Sequence, residues 1–347
     1  MIRWLISATQ AEVLNVDLLT YAGNPNSLRG VELDSRYSFC KGDVCDTQLL
    51  DRLFREYRPQ AVIHLAAESH VDRSIDGPSV FVRTNVLGTY SLLESATRYF
   101  NSIAPESRKA FRLLHVSTDE VFGALGAHDR PFNESSHYDP RSPYSATKAA
   151  SDHLIRAWFH TFRLPVIISN CSNNYGPYQF PEKLIPNVIL RGMRGKSIPV
   201  YGEGANVRDW IYVDDHASAL HRLMEAGRPG ETYLVGARNE RRNIDLVMDI
   251  CRMLDEMSPK ADGVPHERMI RFVSDRPGHD SRYAIDSTKI TEQLGWRPQE
   301  TPATGLRKTV EWYFNNTKWW SPLLDGGYKL ERVGLLNTTM AGEDSSL

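Results

Sequence analysis

Apolar positions along this chain follow two spacings in turn. Ile2, Leu5 and Ile6 recur at i, i+3 and i+4, the mark of a helix, and residues 12–17 follow as an apolar strand closed by Asp17. Helical spacing returns over 46–57 and is punctuated by Pro59; residues 61–67 are then an unbroken apolar run of strand length. The pattern predicts a long amphipathic helix over 80–100, a strand over 111–117, a helix over 143–162 and a strand over 164–169. Strands alternating with helices predict a parallel sheet covered on both faces, because each crossover helix packs back across its own sheet.

Beyond residue 170 the texture changes. Turn formers crowd together from Asn173 to Pro177, and short apolar pieces are interrupted by Gly and Pro. Helices are predicted over 214–225 and 244–257, within a second, less regular domain of the kind built around a ligand. The small, polar residues from Asn337 to Leu347 predict a frayed end.

Composition acts on this picture by exclusion. A chain of 347 residues suits one large α/β unit with a smaller appended part, and 41% hydrophobic with 24% charged residues excludes whole-chain disorder. Lys plus Arg number 41 against 43 Asp plus Glu, which leaves no electrostatic footprint for nucleic acid or an anionic membrane. No apolar run nears the ~18 residues of a membrane helix. The apolar start is also shorter than the ~7–15-residue centre of a signal peptide. Cys40, Cys45, Cys171 and Cys251 lie at spacings of neither a disulfide framework nor a zinc site. The expectation is a soluble cytoplasmic protein with no metal.

Four groups of residues carry candidate chemistry. Asp17 ends a strand, where an acid can hold ribose hydroxyls; no G-x-G-x-x-G precedes it, so a turn role competes. Tyr144 and Lys148 lie four apart on one helix face, where an ammonium can favour the phenolate and make Tyr144 a base; one chance pair of this spacing is expected among 15 tyrosines. Ser117, Thr118, Asp119 and Glu120 close a strand at the sheet edge where α/β folds place ligands, and two carboxylates can divide acid and base roles. Lys183, Arg208 and Arg276 could grip a pyrophosphate, or simply face solvent.

Taken together, residues 16–24, 64–74, 117–123, 142–148, 170–177, 208–210 and 275–279 resemble the extended short-chain dehydrogenase/reductase superfamily and, within it, the dTDP-glucose 4,6-dehydratase family. The likeness runs in register from residue 1 to about residue 333. It implies an α/β fold: a Rossmann-type doubly wound parallel sheet with a smaller α+β substrate-binding domain. It divides the chain into an NAD-binding part (1–171 and 208–243), a nucleotide-sugar part (172–207 and 244–333) and a disordered tail (334–347). It also implies a homodimer formed through two helices per subunit.

The reaction implied is a redox cycle within one site. Tyr144, helped by Lys148 and Thr118, takes the C4 hydroxyl proton while NAD accepts hydride; Glu120 removes the C5 proton, Asp119 protonates the departing C6 hydroxyl, and hydride returns to C6. By position, the resemblance gives NAD contacts to Asp17, Leu18, Thr20, Asp43, Val44, Leu65, Ala66, Ala67, Ser69, Thr84, Tyr144, Lys148 and Asn174. It gives the partner, dTDP-glucose or a similar nucleotide sugar, to Ser69, Thr118, Asn173, Lys183, Leu184, Pro199, Tyr201, Arg208, Asn243, Asp275, Arg276 and His279.

Three departures accompany the likeness. Leu18 stands where the family has Lys, and Phe122 replaces a Tyr, a change expected to be tolerated. The family's first strand and glycine-rich turn, ~15 residues, have no counterpart, and Met1 aligns inside the family's first helix. A sheet without that member, and a pyrophosphate without those amides, would fold poorly or lack activity. An inactive nucleotide-sugar-binding remnant and a UDP-sugar 4-epimerase are therefore the competing readings.

Overall fold

In the computed structural model, residues 1–276, 278–325 and 330 are described; the expected tail at 334–347 lies outside them. The strands are β1 (Val13–Asp17), β2 (Tyr37–Lys41), β3 (Ala61–His64), β4 (Arg112–Thr118) and β5 (Val166–Cys171). They continue with β6 (Asn173–Tyr175), β7 (Ile198–Tyr201), β8 (Val207–Tyr212), β9 (Thr232–Val235), β10 (Glu240–Arg242) and β11 (Ile270–Val273).

Pairing in the first half is parallel throughout, in two separate sheets. β1 runs beside β2, with Val13 opposite Tyr37 and Asp17 opposite Lys41. The other sheet has the order β3-β4-β5-β9. Between β1 and β3 lies a cavity of about 1400 Å³, lined by both strands along their whole length, and among the described residues no strand pairs with either facing edge. The parallel α/β architecture is as the pattern predicts; the interruption between β1 and β3 divides its sheet. Two small sheets, β10-β8-β6 and β11-β7, form the less regular part.

Both faces of the four-stranded sheet are covered. Leu93, Phe111, Leu113, Ile155 and Ile168 pack in one core, and Ile167, Leu220, Leu223, Tyr233 and Ile290 in another. A further core holds Ile189, Trp210, Val247, Leu254, Val310 and Tyr313. Ile290, Leu294 and Trp296 thus join the core beneath the four-stranded sheet, although they lie late in the chain.

Local chemistry sets the element ends. The helix Pro143–Phe162 starts at a reciprocal capping box between Ser142 and Ser145 with Pro143 in its first turn, and ends at Arg163 in the left-handed conformation. The apolar run 61–67 is a strand only to His64; Leu65, Ala66 and Ala67 leave the sheet and line the cavity. The predicted helix 80–100 is divided: Pro78–Phe81 passes through a π-helical turn, Val82–Leu87, into Gly88–Ser102. Asn85, inside that turn, is buried and its amide grips the Glu68 backbone on both sides and the Thr147 hydroxyl.

Candidate active site

β4 delivers the acidic pair. Its last residue, Thr118, caps a short 3-10 turn, Asp119–Phe122, by accepting the Glu120 amide at 3.2 Å. The turn closes at Gly123, with φ 82°, where an added Cβ would stand 2.5 Å from the Asp139 carbonyl oxygen. Only glycine fits there without strain. The sheet edge therefore presents Asp119 and Glu120 beside the first turn of the helix carrying Tyr144 and Lys148.

The two carboxyls meet different surroundings. Asp119 is 1% exposed and its carboxyl is held well above the usual range, first by burial and then by the charge of Glu120. Burial also raises Glu120, but the cations of Arg276, Arg208 and Lys183 oppose it. Asp119 is the member that keeps its proton. Tyr144 departs from the simple phenol–ammonium expectation. Its phenol is driven well above its ordinary value by burial and then by Glu120, with the Thr118 hydroxyl opposing. Lys148, 4% exposed, donates to the Val116 carbonyl at 2.7 Å.

The residues expected at a nucleotide sugar gather around this edge. Lys183 donates to the Ser69 carbonyl at 2.8 Å, one residue before the helix opened by Leu184. Arg208 is buried with its guanidinium 4.2 Å over the Tyr283 ring and bonded to the Asp280 carbonyl. Arg276 reaches Asp72 Oδ1 at 2.9 Å, and Tyr201, two residues after Pro199 in β7, donates to Asp72 Oδ2 at 2.9 Å. His279 packs edge-on to Tyr201 at 6.2 Å and lies 2.6 Å from Asp275. Buried side-chain atoms Asn173 Oδ1, Asn243 Oδ1, Asp119 Oδ2 and Arg276 Nε have no hydrogen-bond partner among the described residues. Such atoms are costly unless a ligand or water satisfies them.

Most residues expected at the cofactor share a different feature, the large cavity. Asp17, Leu18, Thr20, Asp43, Val44, Leu65, Ala66, Ala67, Thr84 and Asn174 all line it, whereas Ser69, Tyr144 and Lys148 do not. Asp43 accepts from the Cys45 amide and pairs with Arg83; Asn174 Oδ1 accepts from His216 Nδ1, 2.8 Å away. Leu18 is 44% exposed. Phe122 stacks on Phe132 and meets the edge of Tyr138, an apolar setting in which a phenol oxygen is not required.

Asp72, Asn85, Asp152 and Glu182 were not singled out from sequence. Asp72 lies inside segment 64–74, whose resemblance to the family is its one signal in the sequence. Glu182 joins Tyr21, at 2.9 Å, to Arg73, at 3.0 Å, and Arg73 sits 3.8 Å over the Tyr21 ring.

Comparison with known proteins adds to this geometry. A family model described as GDP-mannose 4,6 dehydratase matches residues 1–309. A dTDP-glucose 4,6-dehydratase of Escherichia coli is 54% identical, covering 97% of this chain and 96% of that protein. A probable dTDP-glucose 4,6-dehydratase of Sinorhizobium fredii is 57% identical over 97% and 95%. Among solved structures, the dTDP-glucose 4,6-dehydratase of Streptomyces venezuelae with NAD and TYD bound matches with TM-score 0.83 and 43% identity, covering 93% of this chain and 95% of that one. The Bacillus anthracis enzyme in complex with NAD gives TM-score 0.81 and 38% identity, covering 93% and 94%. With the acidic pair, the phenol–lysine helix and these likenesses together, the chain belongs to the dTDP-glucose 4,6-dehydratase family.

Proposed function

We infer that this chain is an NAD-dependent lyase converting dTDP-glucose to dTDP-4-keto-6-deoxyglucose. The observation carrying this reading is the juxtaposition of Asp119 and Glu120, whose environments divide them into an acid and a base, beside Tyr144.

The cavity residues fit NAD. Asp17 ends β1 at the cavity, the place for an acid that holds ribose hydroxyls, and the Asp43–Arg83 pair and Asn174 add polar groups along the same wall. NAD bound there would supply the acceptor for hydride from C4 and the donor that returns it to C6. Tyr144 receives the C4 hydroxyl proton, with Thr118 and Lys148 favouring its phenolate. The ketone left at C4 acidifies the C5 proton. Glu120, whose rise on burial is opposed by Arg276, Arg208 and Lys183, removes that proton, and Asp119 gives its own to the C6 hydroxyl as it departs as water. Arg208, Arg276 and Lys183 also suit a pyrophosphate, while Asn173 and Asn243 keep acceptors for the nucleotide sugar.

On this reading, residues 1–171 and 208–243 serve NAD, and 172–207 and 244–333 serve the nucleotide sugar. On the same reading, the 4-keto-6-deoxy product would serve deoxysugar biosynthesis in the cytoplasm. An apolar face supports a homodimer built from two helices per subunit. Tyr90 stacks edge-on against Trp158, Trp158 packs on Phe162, and Val80, Val82, Leu87, Tyr90 and Phe162 are exposed. Light scattering tests it, with twice the chain mass expected.

The UDP-glucose 4-epimerase of Thermotoga maritima shares the fold at TM-score 0.77 and 26% identity, covering 90% of this chain and 94% of that one. Epimerisation leaves the acid–base pair without work. Incubation with dTDP-glucose and NAD decides between them: a 4-keto product lighter by one water is expected, and a C4 epimer of unchanged mass would overturn the dehydratase reading.

A further inference from the structure

Behind Tyr144 and Lys148 the same helix carries a third polar residue that the reaction above does not use. Asp152 follows Lys148 by four residues, as Lys148 follows Tyr144, so the three lie along one face of Pro143–Phe162. Asp152 is wholly buried. Its Oδ2 accepts from Ser117 Oγ at 2.9 Å, Tyr138 OH at 2.8 Å and Asn170 Nδ2 at 3.2 Å. Its Oδ1 lies 3.2 Å from His115 Nε2, and that same nitrogen lies 3.5 Å from Lys148 Nζ. Carboxylate, imidazole and ammonium form one buried row.

A carboxylate in such a place needs a reason. Burial disfavours charge, yet the contacts with His115 and Tyr138 and the nearby Lys148 hold Asp152 below the usual carboxylate range, so it is ionised. Burial pushes Lys148 down, and Asp152 is the foremost influence holding it up. The surrounding groups supply little other charge. His64 of β3 and His115 of β4 are driven down by burial, His115 to about 4, and the Cys171 thiol of β5 is pushed up to about 12. All three are neutral near pH 7. Arg156, one turn further along the helix, donates to Tyr138 OH at 2.7 Å, and burial drives the Tyr144 phenol above its ordinary value. Asp152 is the anion that answers the Lys148 ammonium.

We propose that Asp152 is a positioning residue for the phenol–lysine pair: its buried carboxylate, one turn along the helix and behind the His115 ring, keeps Lys148 charged and fixed one helical turn behind Tyr144. This rests on Tyr144 being the base of the proposed reaction. A purely structural role, tying β4, β5 and the Tyr138 loop to the helix, would leave the titration of Lys148 and Tyr144 where it is.

The test uses the full chain with Asp152→Asn, which keeps shape and removes charge. NMR titration of the lysine side chains, with Lys148 assigned through Lys148→Arg, is expected to show the Lys148 pKa lower by one unit or more, about a tenfold loss of ammonium stability. The acid limb of the kcat–pH profile is expected to move to higher pH, with kcat about tenfold down at pH 7, KM within threefold, and Asp152→Glu restoring most of it. Should Asp152→Asn fail to fold, Asp152→Ser removes the charge while keeping a hydroxyl that can accept from Ser117, Tyr138 and Asn170, and the same two shifts are expected. An unchanged Lys148 titration in the folded variant overturns the proposal, as does loss of kcat with a superimposable profile. If the wild-type chain makes no 4-keto sugar, the reaction falls, while the lysine titration still reads the Asp152–Lys148 coupling.

Discussion

Asp119 and Glu120 are neighbours in sequence, yet Arg276, Arg208 and Lys183 together oppose the rise at Glu120, whereas of these only Arg208 opposes it at Asp119. Asp119 therefore carries a stability cost with a definite sign. Its folded pKa lies above its unfolded one, so the unfolded chain binds fewer protons between the two, and stability falls as pH rises through that window. Asp119→Asn should raise the melting temperature at pH 7–8 and lose that advantage as pH falls below the ordinary Asp value of about 3.9, where both states are protonated. The same substitution should abolish loss of the C6 hydroxyl while sparing exchange of the C5 proton. Glu120→Gln should block C5 exchange itself, read by mass spectrometry in deuterated water. Identical exchange in both variants would refute the division of roles. Tyr144→Phe should retain NAD and lose oxidation at C4; turnover within about tenfold of wild type, ~1.4 kcal/mol, would contradict its assignment.

The helix Pro143–Phe162 was legible in full, because Ser142, Pro143 and Ser145 write its start and the apolar spacing writes its length. The predicted helix 80–100 was legible as helix but not in its π turn. That turn is held by Asn85 through partners 17 residues away at Glu68 and 62 away at Thr147, and local spacing cannot report them. Asn85→Ala leaves the Glu68 amide and carbonyl without their partner and should cost about 2 kcal/mol in denaturant unfolding, with weakened retention of NAD because Thr84 and Ala67 line the cavity beside it. An unchanged midpoint would show that the turn is held by something else. The acidic pair and the phenol–lysine pair were readable as motifs. Asp72 was not, since its bonds to Tyr201 and Arg276 span 129 and 204 residues.

At the scale of the molecule, the sheet interrupted between β1 and β3 is the feature on which cofactor binding and stability meet. Edges that face a cavity offer backbone groups no strand partner, whereas β4 is paired on both sides, by β3 and β5. Hydrogen exchange should accordingly be fast at β1 and β3 and at least about tenfold slower at β4 and β5. Saturating NAD should slow exchange at the cavity-lining residues 13–20 and 61–67; protection confined to the core around Val247 and Val310 would place the cofactor elsewhere.

The central claim is that one site oxidises C4, eliminates water across C5 and C6, and returns the same hydride to C6. dTDP-glucose deuterated at C4 tests it in a single incubation with NAD. A 4-keto-6-deoxy product carrying the deuterium on C6 and a solvent-derived proton on C5 is expected. Deuterium retained at C4 of an epimer, or a 4-keto product with none at C6, would contradict it.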